Sequence, residues 1–150
     1  MDLKEKELLL KDLSARLPYH VIVSTGEENL ELVKVDILNE KVYLFSESFL
    51  EFDISEIKPY LRSMSSMTED EIIGLYKAFG FGYYSHFELS EEWISFKDSI
   101  KNNMLFIPYP IWTDDYIKGI DFLLRNHFNY RGLIEKELAL KAPEGMYVWK

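Results

Sequence analysis

The fold is decided by the stretch Leu30-Glu31-Leu32-Val33-Lys34-Val35-Asp36-Ile37, in which apolar and charged residues alternate over much of the length. A period of two places apolar side chains on one face of an extended chain and charges on the other, so it predicts a half-buried β-strand. Residues 19–25 and 41–45 flank this stretch and are rich in β-branched and aromatic side chains, with turn-forming residues between the runs. Together the three runs predict a three-stranded antiparallel meander near residues 19–46.

Outside the meander the apolar residues recur every three or four positions, which is the period of an amphipathic helix. Pro18 ends the first predicted helix because proline lacks the backbone N–H that continuation requires. The predicted helices cover residues 3–16, 69–79, 91–101 and 114–126. We therefore predict a single α+β domain over residues 1–150, in which the meander packs against the N-terminal helix and the three later helices.

Caps and core residues follow from the same patterns. Thr68 with Glu71 fits a capping box at a helix start, and Thr113 is placed to cap the last helix. The charged residues of the first helix, Asp12 and Arg16 among them, are assigned largely to its solvent side. The predicted core includes Leu13, Leu17, Val21, Val35, Ile72, Phe79, Trp93, Ile120 and Leu123.

Composition excludes several classes of protein. With 150 residues, 47% of them hydrophobic and 29% charged, the chain is expected to fold around one core rather than to be disordered. The acidic N-terminus does not fit a signal peptide, and no apolar run reaches the ~18 residues that span a bilayer. We therefore expect a cytoplasmic protein that has no membrane association.

Catalytic motifs are equally scarce. The chain has no cysteine, which excludes disulfides and thiolate chemistry, and it has no P-loop and no serine-hydrolase elbow. The histidines, His20, His86 and His127, do not form the two-histidine helical spacing of metalloproteases. We expect no cofactor and no metal site, and the question of enzymatic activity stays open, with a noncatalytic role favoured.

Acidic charge is concentrated in the N-terminal half. The chain carries 17 Lys and Arg against 26 Asp and Glu, a net charge of −9. Residues 27–56 contain nine of the acids and only Lys34 and Lys41 as cations. Such a field attracts a basic protein and repels nucleic acid, whereas a blander interpretation is that the acids only keep the protein soluble. The candidate partner-binding residues are Glu27, Glu28, Glu31, Asp36 and Glu40.

A second candidate site follows the last predicted helix. His127, Tyr130 and Arg131 concentrate hydrogen-bond donors in a loop and can hold a small anion, with the guanidinium supplying a two-point contact. The competing interpretation is a helix C-terminus, where cationic side chains complement the negative end of the dipole.

An aromatic segment also has two interpretations. Phe106, Tyr109 and Trp112 lie around Pro108 and Pro110 and either form a recognition surface for a peptide or sugar or cover the edge of a core.

Three parts of the chain carry a resemblance to known proteins, namely LLLKDLSARLPY at 8–19, FDISEIKPYLRSMSSMTE at 52–69, and NYRGLI at 129–134 with APEGMY at 142–147. Together they resemble a family of small uncharacterised proteins of intestinal Bacteroides-type bacteria and their phage-like or mobile elements. The resemblance implies an intracellular accessory protein and transfers no catalytic position.

Taken together, the sequence favours a noncatalytic protein-interaction module whose acidic face binds a basic partner. The alternative is a small-anion-binding protein or enzyme centred on His127, Tyr130 and Arg131. The oligomeric state is left open.

Overall fold

The computed structural model describes residues 1–147, which form four helices and six strands joined by turns and short 3-10 segments. The helices are α1 (Leu3–Arg16), α2 (Glu69–Ala78), α3 (Glu91–Lys101) and α4 (Thr113–Arg125). The strands are β1 (Ile22–Ser24), β2 (Asn29–Asp36), β3 (Lys41–Phe45), β4 (Phe49–Asp53), β5 (Lys58–Leu61) and β6 (Leu140–Lys141). The α+β class, the N-terminal helix and the three later helices are confirmed.

The strands form one mixed sheet in the order β4-β3-β2-β1-β5-β6. Strands β1, β2 and β3 are antiparallel neighbours, as the predicted meander requires. The prediction of only three strands is wrong, because β4 adds to β3, β5 adds to β1, and β6 lies parallel to β5. The sheet is therefore twice as wide as the sequence pattern indicated.

The missed strands are short or depend on distant partners. Strand β4 follows β3 after three residues, so the two runs are easily taken as one. Pro59 argues against a strand in the sequence, yet β5 accommodates it opposite Val23. Strand β6 has two residues, and its pairing of Leu140 with Tyr60 joins distant parts of the chain. Local periodicity carries no signal for such a pairing.

Capping residues fix where the helices begin. Thr68 and Glu71 form the predicted capping box of α2, and the Ser90 side chain accepts the Trp93 N–H at the start of α3. The prediction that Thr113 caps α4 is wrong, because the helix already begins at Thr113, and its N-cap residue, Trp112, makes no side-chain cap bond. Helices α2, α3 and α4 each begin and end within one residue of the predicted positions.

The chain divides into two compact units. The first unit comprises Met1–Leu61 and Arg131–Lys150, and the second comprises Arg62–Tyr130. The first core lies in the first unit. It is built from side chains of α1 and the strands, together with Leu133, Leu138 and Ala139 from the segment that precedes β6. The second core, in the second unit, holds the buried side chains of α2, α3 and α4, with Tyr76, Phe79, Trp93 and Phe96 among them. The three later helices thus have a core of their own, whereas we predicted that they share the core of the meander.

Six of the nine predicted core residues are buried, namely Leu13, Val21, Ile72, Phe79, Trp93 and Leu123. The other three, Leu17, Val35 and Ile120, are half-buried at the margins of the two cores.

The first helix departs from prediction on its charged side. Asp12 and Arg16, assigned to solvent, are both completely buried. Arg16 Nε lies 2.7 Å from Asp12 Oδ2, and Nη2 lies 3.2 Å from Oδ1, so the two charges neutralise each other one helical turn apart. Arg131 Nη1, also in the first unit, lies 3.8 Å from Asp12 Oδ1.

Candidate functional site

The outward side of β2, β3 and β4 presents two of the five candidate partner-binding residues, Glu31 and Asp36, together with Glu51 and Asp53. Leu32, Val42 and Leu44 are buried in the first core, so their neighbours along each strand point to the other side. A β-bulge between Leu32 and Lys34 shifts the register of β2 by one residue. Because of this bulge, Lys34 and Asp36 lie on the same side of the sheet as Glu31.

Strand pairing aligns these outward residues in three rows across the sheet. The rows are Glu31–Phe45–Phe49, Lys34–Tyr43–Glu51 and Asp36–Lys41–Asp53. We call these nine residues the outer sheet face. The face combines four carboxylates, two lysines and three aromatic rings, and Phe49 is 69% exposed.

Both lysines of the outer sheet face are engaged within it. Lys41 Nζ lies 3.4 Å from Asp53 Oδ2, and Lys34 Nζ lies 4.8 Å from the ring centroid of Tyr43. Glu51 is exposed in the middle row. The face therefore presents a negative field to solvent despite its two cations.

The five predicted partner-binding residues occupy the two ends of β2. Glu27 and Glu28 are exposed in the turn before the strand, and Glu31 pairs with His20 Nδ1 near its beginning. At the other end Asp36 accepts hydrogen bonds from Asn39, and Glu40 lies 2.9 Å from Lys6 Nζ. About 23 Å of extended chain separates the two ends, at ~3.3 Å per residue.

Hydrogen bonding keeps several of these acids ionised. Bonds from the backbone and hydroxyl of Ser55, together with Lys41, lower the pKa of Asp53 to about 2. Bonds from the Asn39 side chain and backbone likewise lower the pKa of Asp36, and Glu40 raises the pKa of Lys6. At neutral pH these residues carry their full charges.

Strand β4 also forms one edge of the sheet. In residues 1–147 it pairs with β3 alone, so the backbone groups on its other side face outward beside Phe49 and Glu51. This strand and Phe49 were not predicted as part of a site, whereas Glu51 lies in the predicted acidic stretch 27–56 but not among the five candidate residues. The run Phe49-Leu50-Glu51-Phe52-Asp53 alternates between the outer sheet face and the first core, and that alternation was the signal for it.

The second candidate site falls on both units. His127 and Tyr130 belong to the second unit and Arg131 to the first. His127 follows the end of α4 with a φ of 62°, and its carbonyl accepts the Arg62 N–H at 2.8 Å. Tyr130 packs half-buried against the second core, and Arg131 lies beside Asp12 as described above. Because the guanidinium already faces a carboxylate of the protein, anion binding by these three residues stays a prediction.

In the described part of the chain, no three His, Asp or Glu side chains are grouped so that they can hold a metal ion. Among residues 1–147, no helix is long and apolar enough to cross a membrane. Comparisons with protein-family models, with curated proteins and with solved structures gave no match. The resemblance to proteins of mobile elements therefore stays a prediction.

Proposed function

We propose that the protein is a noncatalytic interaction module that binds a basic partner protein through its outer sheet face. The observation that carries this proposal is the alignment of four carboxylates and three aromatic side chains in three rows beside the free edge of β4. Aromatic side chains supply contact area, whereas the carboxylates attract and orient a positively charged surface.

Phe45 and Phe49 give the acidic surface an apolar end. Their ring centroids lie 5.6 Å apart at the end of the β3–β4 hairpin, and both rings are substantially exposed. Exposed apolar groups bordered by charge are typical of protein-binding surfaces. Surface acids that only maintain solubility do not require such exposed apolar side chains beside them.

The choice of residues for a test follows from their contacts. Glu31 pairs with His20, and Asp36 accepts a hydrogen bond from the Asn39 side chain. Reversing the charge of either acid therefore also disturbs the fold locally. Glu51 on the outer sheet face, and Glu27 and Glu28 in the turn that leads into β2, are exposed and suit charge reversal better. The matched control for the single substitution Glu51→Lys is Asp98→Lys, which makes the same charge change at an exposed position of α3 in the second unit.

The experiment captures partners from native lysate at low and high salt and then measures association of the purified partner with each variant. We expect the triple variant Glu27→Lys, Glu28→Lys, Glu51→Lys to lower the association rate about tenfold or more, because electrostatic steering sets the rate. Asp98→Lys is expected to change the rate little. A partner whose binding ignores both salt and the triple substitution would contradict the proposal.

A further inference from the structure

Strand β4 is an open and regular edge of the sheet. All five of its residues pair with β3 in continuous register, from Phe45–Phe49 to Lys41–Asp53. The opposite edge, β6, has two residues. Proteins usually protect a sheet edge by keeping it short or by placing Lys, Pro or a bulge on it. Strand β6 is short, whereas β4, with the sequence FLEFD, carries none of these protections.

The hydrogen bonds of the β3–β4 hairpin determine which backbone groups of β4 face outward. The Ile54 N–H donates to the Glu40 carbonyl at 2.9 Å, directly after the last residue of β4. Residues opposite each other in an antiparallel pair are alternately bonded and nonbonded, so every second residue counted back from Ile54 bonds to β3. The N–H and C=O groups of Phe49 and Glu51, which lie between those residues, therefore point to the open side.

The open side of β4 has a defined end. Asp53 has the same orientation as Glu51, but its N–H donates to Glu56 Oε2 at 3.2 Å. Within residues 1–147, the outward N–H and C=O groups of Phe49 and Glu51 have no hydrogen-bond partner. These groups remain available to an added strand that spans the same five residues as β4.

The rows of the outer sheet face indicate which side chains an added strand carries. In two of the three rows, the residue on β4 is a carboxylate, Glu51 or Asp53. The signs of charge alternate along the row Asp36–Lys41–Asp53, so the next position in that row suits a cation. A cation opposite Glu51 is favoured in the same way, because opposite charges on neighbouring strands attract.

The cations near β4 leave this negative field in place. Residues 45–57 contain no Lys, Arg or His, and their four acids are Glu47, Glu51, Asp53 and Glu56. In the described part of the chain, Glu47, Glu51 and Glu56 form no ion pair. Three lysines of neighbouring elements are each engaged by another group, namely Lys41 by Asp53, Lys34 by the Tyr43 ring and Lys6 by Glu40. Lys58 lies on β5, about 19 Å across the sheet at ~4.8 Å per strand, which is beyond the screening length of ~8 Å.

The same charges disfavour a second copy of the chain at this edge. Antiparallel pairing that overlaps two β4 strands over their whole length places Glu51 opposite Glu51 of the other copy. Like charges directly opposite each other destabilise a strand pair. A strand that carries cations replaces this repulsion by attraction, so charge complementarity selects a basic occupant.

We propose that β4 binds an extended segment of the basic partner as an added antiparallel strand with cations at alternate positions. The inference rests on the proposed function and specifies how the partner is bound. Hydrogen bonds with the outward backbone groups of Phe49 and Glu51 provide affinity, and the alternate side chains provide specificity. Each component of this site lies in the first unit.

The register of β4 specifies the order of residues in the segment. From its N-terminus, the segment carries cations opposite Asp53 and Glu51 and an apolar side chain opposite Phe49. The two residues between these positions lie on the side of Leu50 and Phe52, which pack half-buried against the first core. Apolar side chains suit those two positions, because they continue the apolar side of the sheet.

The test is a titration of the full chain with a dye-labelled peptide that contains Lys-Val-Lys-Val-Phe, read by fluorescence anisotropy. Two derivatives carry one backbone N-methyl group, either on the second lysine or on the valine that follows it. The second lysine lies opposite Glu51 and donates its N–H to β4, whereas the N–H of that valine points away. We expect methylation of the lysine to weaken binding about tenfold or more, because it removes a donor and obstructs the edge. Methylation of the valine is expected to change binding little.

Charge exchange tests the cross-strand pair. Glu51→Lys is expected to weaken binding of the peptide roughly fivefold or more, because two cations then face each other. A peptide with Glu in place of the second lysine is expected to bind this variant more tightly than it binds the unsubstituted chain. Glu51 is exposed, and lysine is common on sheet edges, so the variant is compatible with folding. Asp98→Lys in the second unit is the control and is expected to leave peptide binding unchanged.

Three results would overturn the strand addition. The first is absence of peptide binding. The second is equal weakening by the two N-methyl groups, which would show that the peptide is held by charge without pairing to β4. The third is a stable dimer of the unsubstituted chain that excludes the peptide, which would assign the edge to a second copy. Capture of a partner that depends on Glu51, without binding of the peptide, would overturn the strand addition and leave the proposed function standing.

Discussion

At the scale of single residues, the buried Asp12–Arg16 pair is the most sensitive electrostatic feature of the first unit. Both side chains are completely buried, so replacing the Asp12 carboxylate by a neutral amide removes a charged partner of Arg16 and of Arg131 in a medium that solvates charge poorly. We expect Asp12→Asn to lower the free energy of unfolding by about 3–5 kcal/mol. Urea denaturation monitored by circular dichroism measures this change.

The control is the partly exposed Lys6–Glu40 pair in the same unit. Glu40→Gln is expected to cost about 1 kcal/mol or less, because solvent screens partly exposed ion pairs. Equal losses in the two variants would show that burial does not set the energy of the Asp12–Arg16 pair.

Asp53 makes the stability of the first unit depend on pH. Because the folded pKa of about 2 lies below the ordinary 3.8, the stabilisation is fully present above about pH 4 and is lost as pH falls toward 2. Asp53 is the N-cap residue of the short 3-10 helix Ile54–Glu56, and Asp53→Asn keeps a good N-cap side chain but cannot titrate. We expect the variant to show a shallower loss of unfolding free energy over this pH window, measured by urea denaturation. An unchanged pH profile would contradict the assigned cause.

The limits of sequence-based prediction are clear at this scale. The capping pair Thr68 and Glu71 was found from the sequence, because a capping box is a local pattern of fixed spacing. Burial of Asp12 and Arg16 was missed, because charged residues one helical turn apart are usual on a solvent-facing surface. Only the tertiary surroundings distinguish the two cases.

At the scale of elements, α2 and α4 approach closely through two glycines. A Cβ on Gly119 of α4 would lie 2.1 Å from the Phe79 ring, whereas one on Gly74 of α2 would lie 3.2 Å from the Phe122 ring. We expect Gly119→Ala to destabilise the protein by about 1–3 kcal/mol through overpacking, despite the better helix propensity of alanine.

Gly74→Ala provides the comparison. Its new Cβ makes a less severe contact, and the better helix propensity of alanine offsets the cost of that contact by up to ~1 kcal/mol. We expect a net effect near zero, and thermal melting of both variants measures the difference. A Gly119→Ala variant as stable as Gly74→Ala would show that the helices separate without cost.

Helices were more predictable than strands for a physical reason. The helical pattern of residues 69–79 lies within one continuous segment, and its cap lies beside it. Strand β6, in contrast, exists through its pairing with β5. For the candidate site, the acidic pattern predicted Glu31 and Asp36 of β2, but it did not predict Phe49, which the register of β4 brings into the same row as Glu31.

At the scale of the whole molecule, the chain contains two cores where the sequence pattern indicated one. The second unit interrupts the first in the sequence, and no Gly- or Pro-rich linker marks either boundary, at Leu61–Arg62 or at Tyr130–Arg131. A pattern of buried and exposed positions does not reveal which apolar residues pack together. The single domain over residues 1–150 stays a prediction.

Hydrogen exchange can test whether the two cores open separately. Leu44 is completely buried in the first core, so Leu44→Ala is expected to cost about 2–5 kcal/mol through lost burial and the cavity left behind. Proteins often open in cooperative parts that coincide with packed units. We expect Leu44→Ala to accelerate amide exchange in β2, β3 and β4 far more than in α2 and α4. Gly119→Ala, which acts on the second core, is expected to produce the opposite pattern. Uniform acceleration across all amides in both variants would show instead that the two cores unfold as one cooperative domain.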